Sequence, residues 1–224
     1  MDCKKTVIDQ QNSFIERYTN HNTEIINFYG YKPGDQSEFE KRSNLSANGR
    51  EEALSKVIFN YMSQLNLTDK QHENIENLKH GHKVIIGGQQ AGLFTGPLYT
   101  FHKIISIIVL ANEQSEKLNT PVIPVFWIAG EDHDFDEVNH TYAYDRISRQ
   151  LNKVKYSTLE PPEKSVSHYH FDKALIKDAL NDMFSSIGET VHSKDILLLI
   201  PPLFSSSSFF FFFFIFIPFE VFPE

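Results

Sequence analysis

The sequence predicts an α/β fold built on a parallel sheet and preceded by a helical N-terminal segment. Three observations carry that prediction. Residues 83–86 (KVII) form a short apolar run between glycines, suited to a buried parallel strand. Residues 98–111 are almost unbroken in their apolar character and open after Pro97, a favoured first residue of a helix, so this helix is expected to be largely buried. Residues 122–129 (VIPVFWIA) make a second strand, with Pro124 near its start or on an edge and Trp127 expected in the core. Strand, helix, strand in that order is a right-handed crossover, the unit of doubly wound sheets. Both strands of such a pair end on the same side, so residues 87–96 and 130–137 are expected to face one crevice, where these sheets bind ligands.

The flanking elements follow from local signals. Residues 50–65 carry Leu54, Val57, Ile58, Tyr61 and Leu65 at helical spacing, with Asn48 and Gly49 as starters. Thr68 and Gln71 fit a capping box that opens a helix to about Lys79. Residues 13–28 are a weaker helical candidate, and the polar residues 30–48, with Pro33-Gly34, read as a loop. Further on, residues 142–147 and 153–157 read as strands. Residues 160–163 read as a loop, and 172–184 as a helix with a stripe of Ala174, Leu175, Ala179, Leu180 and Met183.

The chain has 224 residues, a net charge of −8 and one cysteine, Cys3. The acidic balance argues against a dedicated nucleic-acid binder. One cysteine excludes an internal disulfide and any cysteine-built zinc site. With no secretory signal legible, the cytoplasm is the expected compartment. Composition breaks at residue 201: ten of the twenty phenylalanines lie in residues 201–224, and residues 196–219 hold no charge over 24 positions. Ser205 to Ser208 and three prolines interrupt that run, and no Lys or Arg cluster follows it, which disfavours a membrane anchor. Phe, Ser, Leu, Pro and Ile are the products of T-rich codons, so the tail is expected to be a frameshifted or truncated end. The organisation expected is therefore a helical segment over 1–82, the first part of a sheet core with the start of an inserted region over 83–200, and a low-complexity tail over 201–224.

Two constellations could carry chemistry. The first is the stretch 87–96, GGQQAGLFTG, read as a ten-residue connection where roughly 2–6 residues are usual. Its glycines let backbone amides approach a ligand, and the following helix presents its positive end to an anion. It matches neither the dinucleotide pattern nor the P-loop pattern, and the alternative is a turn whose glycines only relieve sterics. The second is Glu131-Asp132-His133-Asp134-Phe135-Asp136-Glu137, in which five of seven residues are acidic. Such crowding is expected to raise carboxyl pKa values unless a cation offsets it. It could ligate a divalent metal through Asp132, His133 and Asp134, or hold an amine with His133 as general acid and base. Alternatively, Asp132 or Asp134 caps a short helix. Alternation along an extended segment lets at most two or three of these groups converge, so no metal site is expected from it alone.

GGQQAGLFTGPLYTFHK (residues 87–103) and PVFWIAGEDHDFDEVNH (residues 124–140) resemble the cysteine ligase family of bacillithiol biosynthesis, BshC. The resemblance runs to about Ile200. It implies an incomplete Rossmann-like core related to class I aminoacyl-tRNA synthetases, and a cytoplasmic ligase that adds cysteine to glucosaminyl-malate. With it go ATP as the suspected co-substrate and cysteine and glucosaminyl-malate as small-molecule partners; no nucleic acid, membrane or metal of its own is expected, on the charge balance, the tail and the acidic segment described above. Mapped here, Gly87, Gly88, Gln89, Gln90, Thr95, Gly96 and Tyr99 become the substrate or nucleotide pocket. Glu131, Asp132, His133 and Asp134 become its catalytic floor, and His102 and Lys103 face phosphate. The synthetase His-x-Gly-His signature is not legible, and the C-terminal coiled coil that accompanies dimerisation in the family is not expected in this chain. A dimer is thus expected of the full-length family and not of this chain, which is expected to be inactive alone. The competing functions are a metal-dependent hydrolase built on residues 131–137 and a non-catalytic remnant.

Overall fold

The computed structural model describes residues 13–63, 67–129, 134–145, 147–159, 165–166, 169 and 171–188. Leu65, Glu131, Asp132, His133, the 160–163 segment and the whole tail from 201 onward lie outside them. Among the described residues, no helix is long and apolar enough to cross a membrane.

At the centre are two parallel strands, β1 (Lys83–Gln90) and β2 (Val122–Ala129), joined by helix α6 (Leu98–Leu118). Every residue of β1 has a register partner in β2, from Lys83 opposite Val122 to Gln90 opposite Ala129. The connection read as ten residues is therefore shorter than the sequence suggests. Gly87, Gly88, Gln89 and Gln90 continue the strand, and only residues 91–97 connect it to α6, through a single 3-10 turn at Leu93–Thr95. Pairing with an eight-residue partner overrides the poor strand preference of a Gly-Gly-Gln-Gln run. The glycines serve packing. A Cβ at Gly87 would come within 2.4 Å of Ile107 Cδ1 on α6, and one at Gly88 within 2.8 Å of the Trp127 carbonyl oxygen.

The N-terminal helices are α1 (Ser13–Thr19), α2 (Thr23–Ile26), α3 (Gln36–Ser43), α4 (Glu51–Met62) and α5 (Asp69–Lys79). The capping box is present: Thr68 accepts from Gln71 N, and the Gln71 side chain accepts from Thr68 N at 2.8 Å. Ile58 and Met62 of α4 and Ile75 and Leu78 of α5 pack with Ile123 and Val125 on one face of β2. Ile104 and Ile108 of α6 pack with Phe126 on the other. The sheet is thus the middle of three layers.

Four expectations need correcting here. The inward stripe of α4 is Ser55, Ile58 and Met62, while Leu54 and Val57 are exposed. Residues 30–48 are not all loop. Asp35 accepts from Ser37 N and starts α3, which has no apolar stripe to announce it; Gln36 and Gln114 of α6 exchange two amide hydrogen bonds at 3.0 and 3.1 Å. Nor is α6 largely buried. It presents one buried stripe, Thr100, Ile104, Ile108, Ala111 and Gln114, and leaves Leu98, Phe101 and Val109 exposed, because a floor two strands wide covers one helix face. Trp127 likewise is half exposed.

Beyond β2, helix α7 (Phe135–Val138) leads into an antiparallel hairpin, β3 (His140–Asp145) with β4 (Gln150–Lys155), backed by α8 (Lys173–Ile187). Asp172 caps α8 by accepting from Ala174 N and Leu175 N. Ile176, Ala179 and Leu180 of α8 join Ala143, Val154 and Tyr156 in a second core.

Candidate functional site

Because β1 and β2 are parallel and in register to their last residues, the chain leaves both at one level of the sheet. The segments that follow meet. Ala91 and Leu93 from the turn after β1 share a core cluster with Phe135 and Val138 of α7, and Phe94 packs against it. The turn is tight: Phe94 takes φ 51° and Gly96 φ 70°. Gly92 lies so close to Gly96 that a Cβ on the former would stand 2.6 Å from the latter's Cα.

On the α6 side of β1, a hollow of about 510 Å³ is lined by Gly87, Gly88, Tyr99, His102, Lys103, Ser106 and Ile107. Five residues expected to bind or catalyse thus lie on one surface. Gln89 joins them from the strand, accepting from Lys103 Nζ at 2.7 Å and donating to the Tyr99 hydroxyl at 3.3 Å. The Lys103 ammonium also lies 5.5 Å from the centre of the Tyr99 ring. Among the described residues Lys103 has no carboxylate partner. Among the described residues its positive charge is held by neutral groups. Gln90, one position on, belongs to the opposite face of the strand, so the two glutamines do not act together. Thr95 sits in the 3-10 turn and Gly96 closes it.

No side chain caps α6, whose N-cap is Pro97 rather than its first helical residue. Three residues later, Thr100 is 6% exposed and its Oγ1 has no hydrogen-bond partner among the described residues. A buried hydroxyl left unpaired costs about 1–3 kcal/mol. Thr100 escapes a reading of composition because its one signal is positional: a polar residue at i, i+4 and i+8 with Ile104 and Ile108.

Of the acidic segment, Asp134 is the helix cap that the sequence offered as an alternative, accepting from Glu137 N at 3.2 Å. Crowding does not raise the carboxyl of Asp136. Hydrogen bonds from Lys155 Nζ (3.3 Å) and Asn139 Nδ2 (3.0 Å) hold its pKa below the ordinary 3.8. A carboxylate whose pKa falls on folding stabilises the fold fully above its unfolded value and loses that contribution as pH drops through the folded value. Asp136→Asn should therefore reduce the loss of melting temperature between about pH 5 and about pH 2, read by circular dichroism. An unchanged acid limb would show the contact to be idle. Among the described residues, no three His, Cys, Asp or Glu side chains gather as a metal site.

The chain matches the family model described as "Bacillithiol biosynthesis BshC, N-terminal Rossmann-like domain" over residues 1–224. It is 54% identical over 197 residues to a protein of Staphylococcus saprophyticus, which covers 88% of this chain and 37% of that relative. It is 50% identical over 196 residues to one of Staphylococcus epidermidis (88% and 36%), and 51% identical over 197 residues to one of Staphylococcus aureus (88% and 37%). All three carry the name "Putative cysteine ligase BshC". The chain spans a little over a third of the length of these relatives.

Proposed function

The chain belongs to the BshC family of bacillithiol biosynthesis, and from that membership we propose that it supplies part of a cytoplasmic ligase site joining the carboxyl of cysteine to the amine of glucosaminyl-malate. The bond made is a carbon–nitrogen amide bond. Its formation requires an activated carboxyl, an anion held in place and an acceptor for the amine proton.

The hollow beside β1 supports the second requirement. The observation that carries the reading is the Lys103–Gln89 contact of 2.7 Å, which fixes an ammonium with no acidic partner among the described residues where β1 ends. His102, the Tyr99 hydroxyl and the uncapped start of α6 add donors around it. These groups fit the phosphates of a nucleoside triphosphate, and ATP held there would supply activation of the cysteine carboxyl. Asp132 and His133, with Glu131 and Asp134 beside them, are assigned to the amine and its proton. Their support is position: they lie between Ala129, which pairs with the last residue of β1, and Phe135, which packs against the turn after β1.

The test is ligation by a full-length family member carrying these residues, with cysteine, glucosaminyl-malate and ATP, the thiol product being read by mass spectrometry. Product should depend on ATP. Lys103→Ala should raise KM for the anionic substrate roughly tenfold or more, the scale of a lost charged hydrogen bond. Ligation without a nucleotide, or an unchanged KM, would overturn the assignment.

A further inference from the structure

We propose that Thr100 is a ligand-holding residue, whose buried hydroxyl donates to an anionic oxygen of the molecule bound at the start of α6. The proposal rests on the ligase reading, which brings a phosphate or a carboxylate to that place. Its own support is local. Two other hydroxyls of α6 bond the carbonyl four residues back, Ser106 to His102 O at 2.7 Å and Ser115 to Ala111 O at 2.8 Å, the usual resort of such groups in a helix. Thr100 lies in the first turn, where the carbonyl four residues back belongs to Gly96 outside the helix, and its buried Oγ1 has no hydrogen-bond partner among the described residues.

Thr100 occupies the sheet-facing stripe that is otherwise Ile104, Ile108 and Ala111 at this end of the helix, where an apolar residue would pack without loss. The hydroxyl faces the glycine turn, since a Cβ at Gly96 would be 3.8 Å from Oγ1. The same helix start has no side-chain cap, so the first-turn amides ahead of Thr100 have no side-chain partner, while Thr100 N itself donates to Pro97 O at 2.9 Å; the helix dipole adds positive potential there. Lys103 lies one turn further on. An unpaired donor, uncapped amides and an ammonium all ask for negative charge, and nothing described around them supplies it.

The experiment uses the full chain with Thr100→Val, which keeps the shape and removes the hydroxyl, and Thr100→Ser, which keeps the hydroxyl. Melting temperatures are read alone, with ATP, and with glucosaminyl-malate. Thr100→Val should melt no lower than the unsubstituted chain without ligand and bind about tenfold more weakly with at least one probe. Thr100→Ser should retain the ligand-induced shift. Loss confined to ATP assigns the hydroxyl to a phosphate; loss confined to the sugar malate assigns it to a carboxylate; loss with both assigns it to a position the two share. If the unsubstituted chain shifts and Thr100→Val shifts equally, this proposal falls and the ligase reading stands. A lower melting temperature for Thr100→Val without ligand would reveal a partner within the protein and also overturn the proposal. If the unsubstituted chain shifts with neither probe, this proposal falls, and the ligase reading stands or falls by the full-length assay.

Discussion

Phe135→Ala is expected to remove about 3–5 kcal/mol of stability, the usual cost of deleting a buried aromatic ring. The ring is 5% exposed and sits among Tyr169 at 5.1 Å, Tyr156 at 6.2 Å and Phe171 at 6.3 Å between centroids. It also shares its cluster with Ala91 and Leu93. Phe135 is therefore the bolt between the turn after β1 and the acidic segment after β2. A domain holds only about 5–15 kcal/mol in total, so the loss should leave the variant marginal at 37 °C. Urea unfolding gives the number. A change below about 1 kcal/mol would mean that the aromatic cluster closes without it. Phe135→Leu, which keeps most of the volume, should cost much less.

Gly92→Ala is the second large effect. The added Cβ would meet Gly96 Cα at 2.6 Å and Gly96 N at 3.2 Å, both backbone atoms that no rotamer change can move. The turn must open, at about 1–3 kcal/mol. That corresponds to several degrees in melting temperature, at about 2–4 °C per kcal/mol for a chain of this size. Gly30, with nothing within 4 Å of its built Cβ, supplies the control: Gly30→Ala should melt within a degree or so of the parent. Equal effects at both positions would show that the contact at Gly92 is not what matters.

What the sequence made legible was local or periodic. The Thr68–Gln71 capping box is readable from two residues at fixed spacing, and it is present. The crossover of β1, α6 and β2 is readable from three apolar runs, and the family match agrees with a Rossmann-like core. What was hidden depended on distant partners. Gly87 to Gln90 look like a loop until β2 is laid beside them, because glycine and glutamine carry no strand signal of their own. Helix α3 is held by Gln36 meeting Gln114, a contact across 78 residues that leaves no periodicity behind. On α4, Leu54 and Val57 fit the helical spacing as well as Ile58 does, and the positions of α5 and β2 decide that the buried stripe runs through Ser55.

At the site, Lys103, His102 and Tyr99 were readable because the helix after the first strand of such a unit fixes where they stand. Their link to Gln89 was not, since it required the strand to run on through its glycines. Thr100 is hidden for the opposite reason: a threonine near a helix start is ordinary, and its burial without a hydrogen-bond partner among the described residues emerges only in three dimensions.

The Gln36–Gln114 clasp has a consequence for how the molecule comes apart. Its two amides carry no charge at any ordinary pH, so acidification and added electrolyte leave that joint intact. The tie from Asp136 to Lys155 on the hairpin side weakens under both. Souring the solvent therefore weakens the tie of α7 to β4, and with it the carboxylate contacts of Asp35, Glu51, Glu52 and Glu76 in the N-terminal helices, while the uncharged clasp between α3 and α6 loses nothing directly.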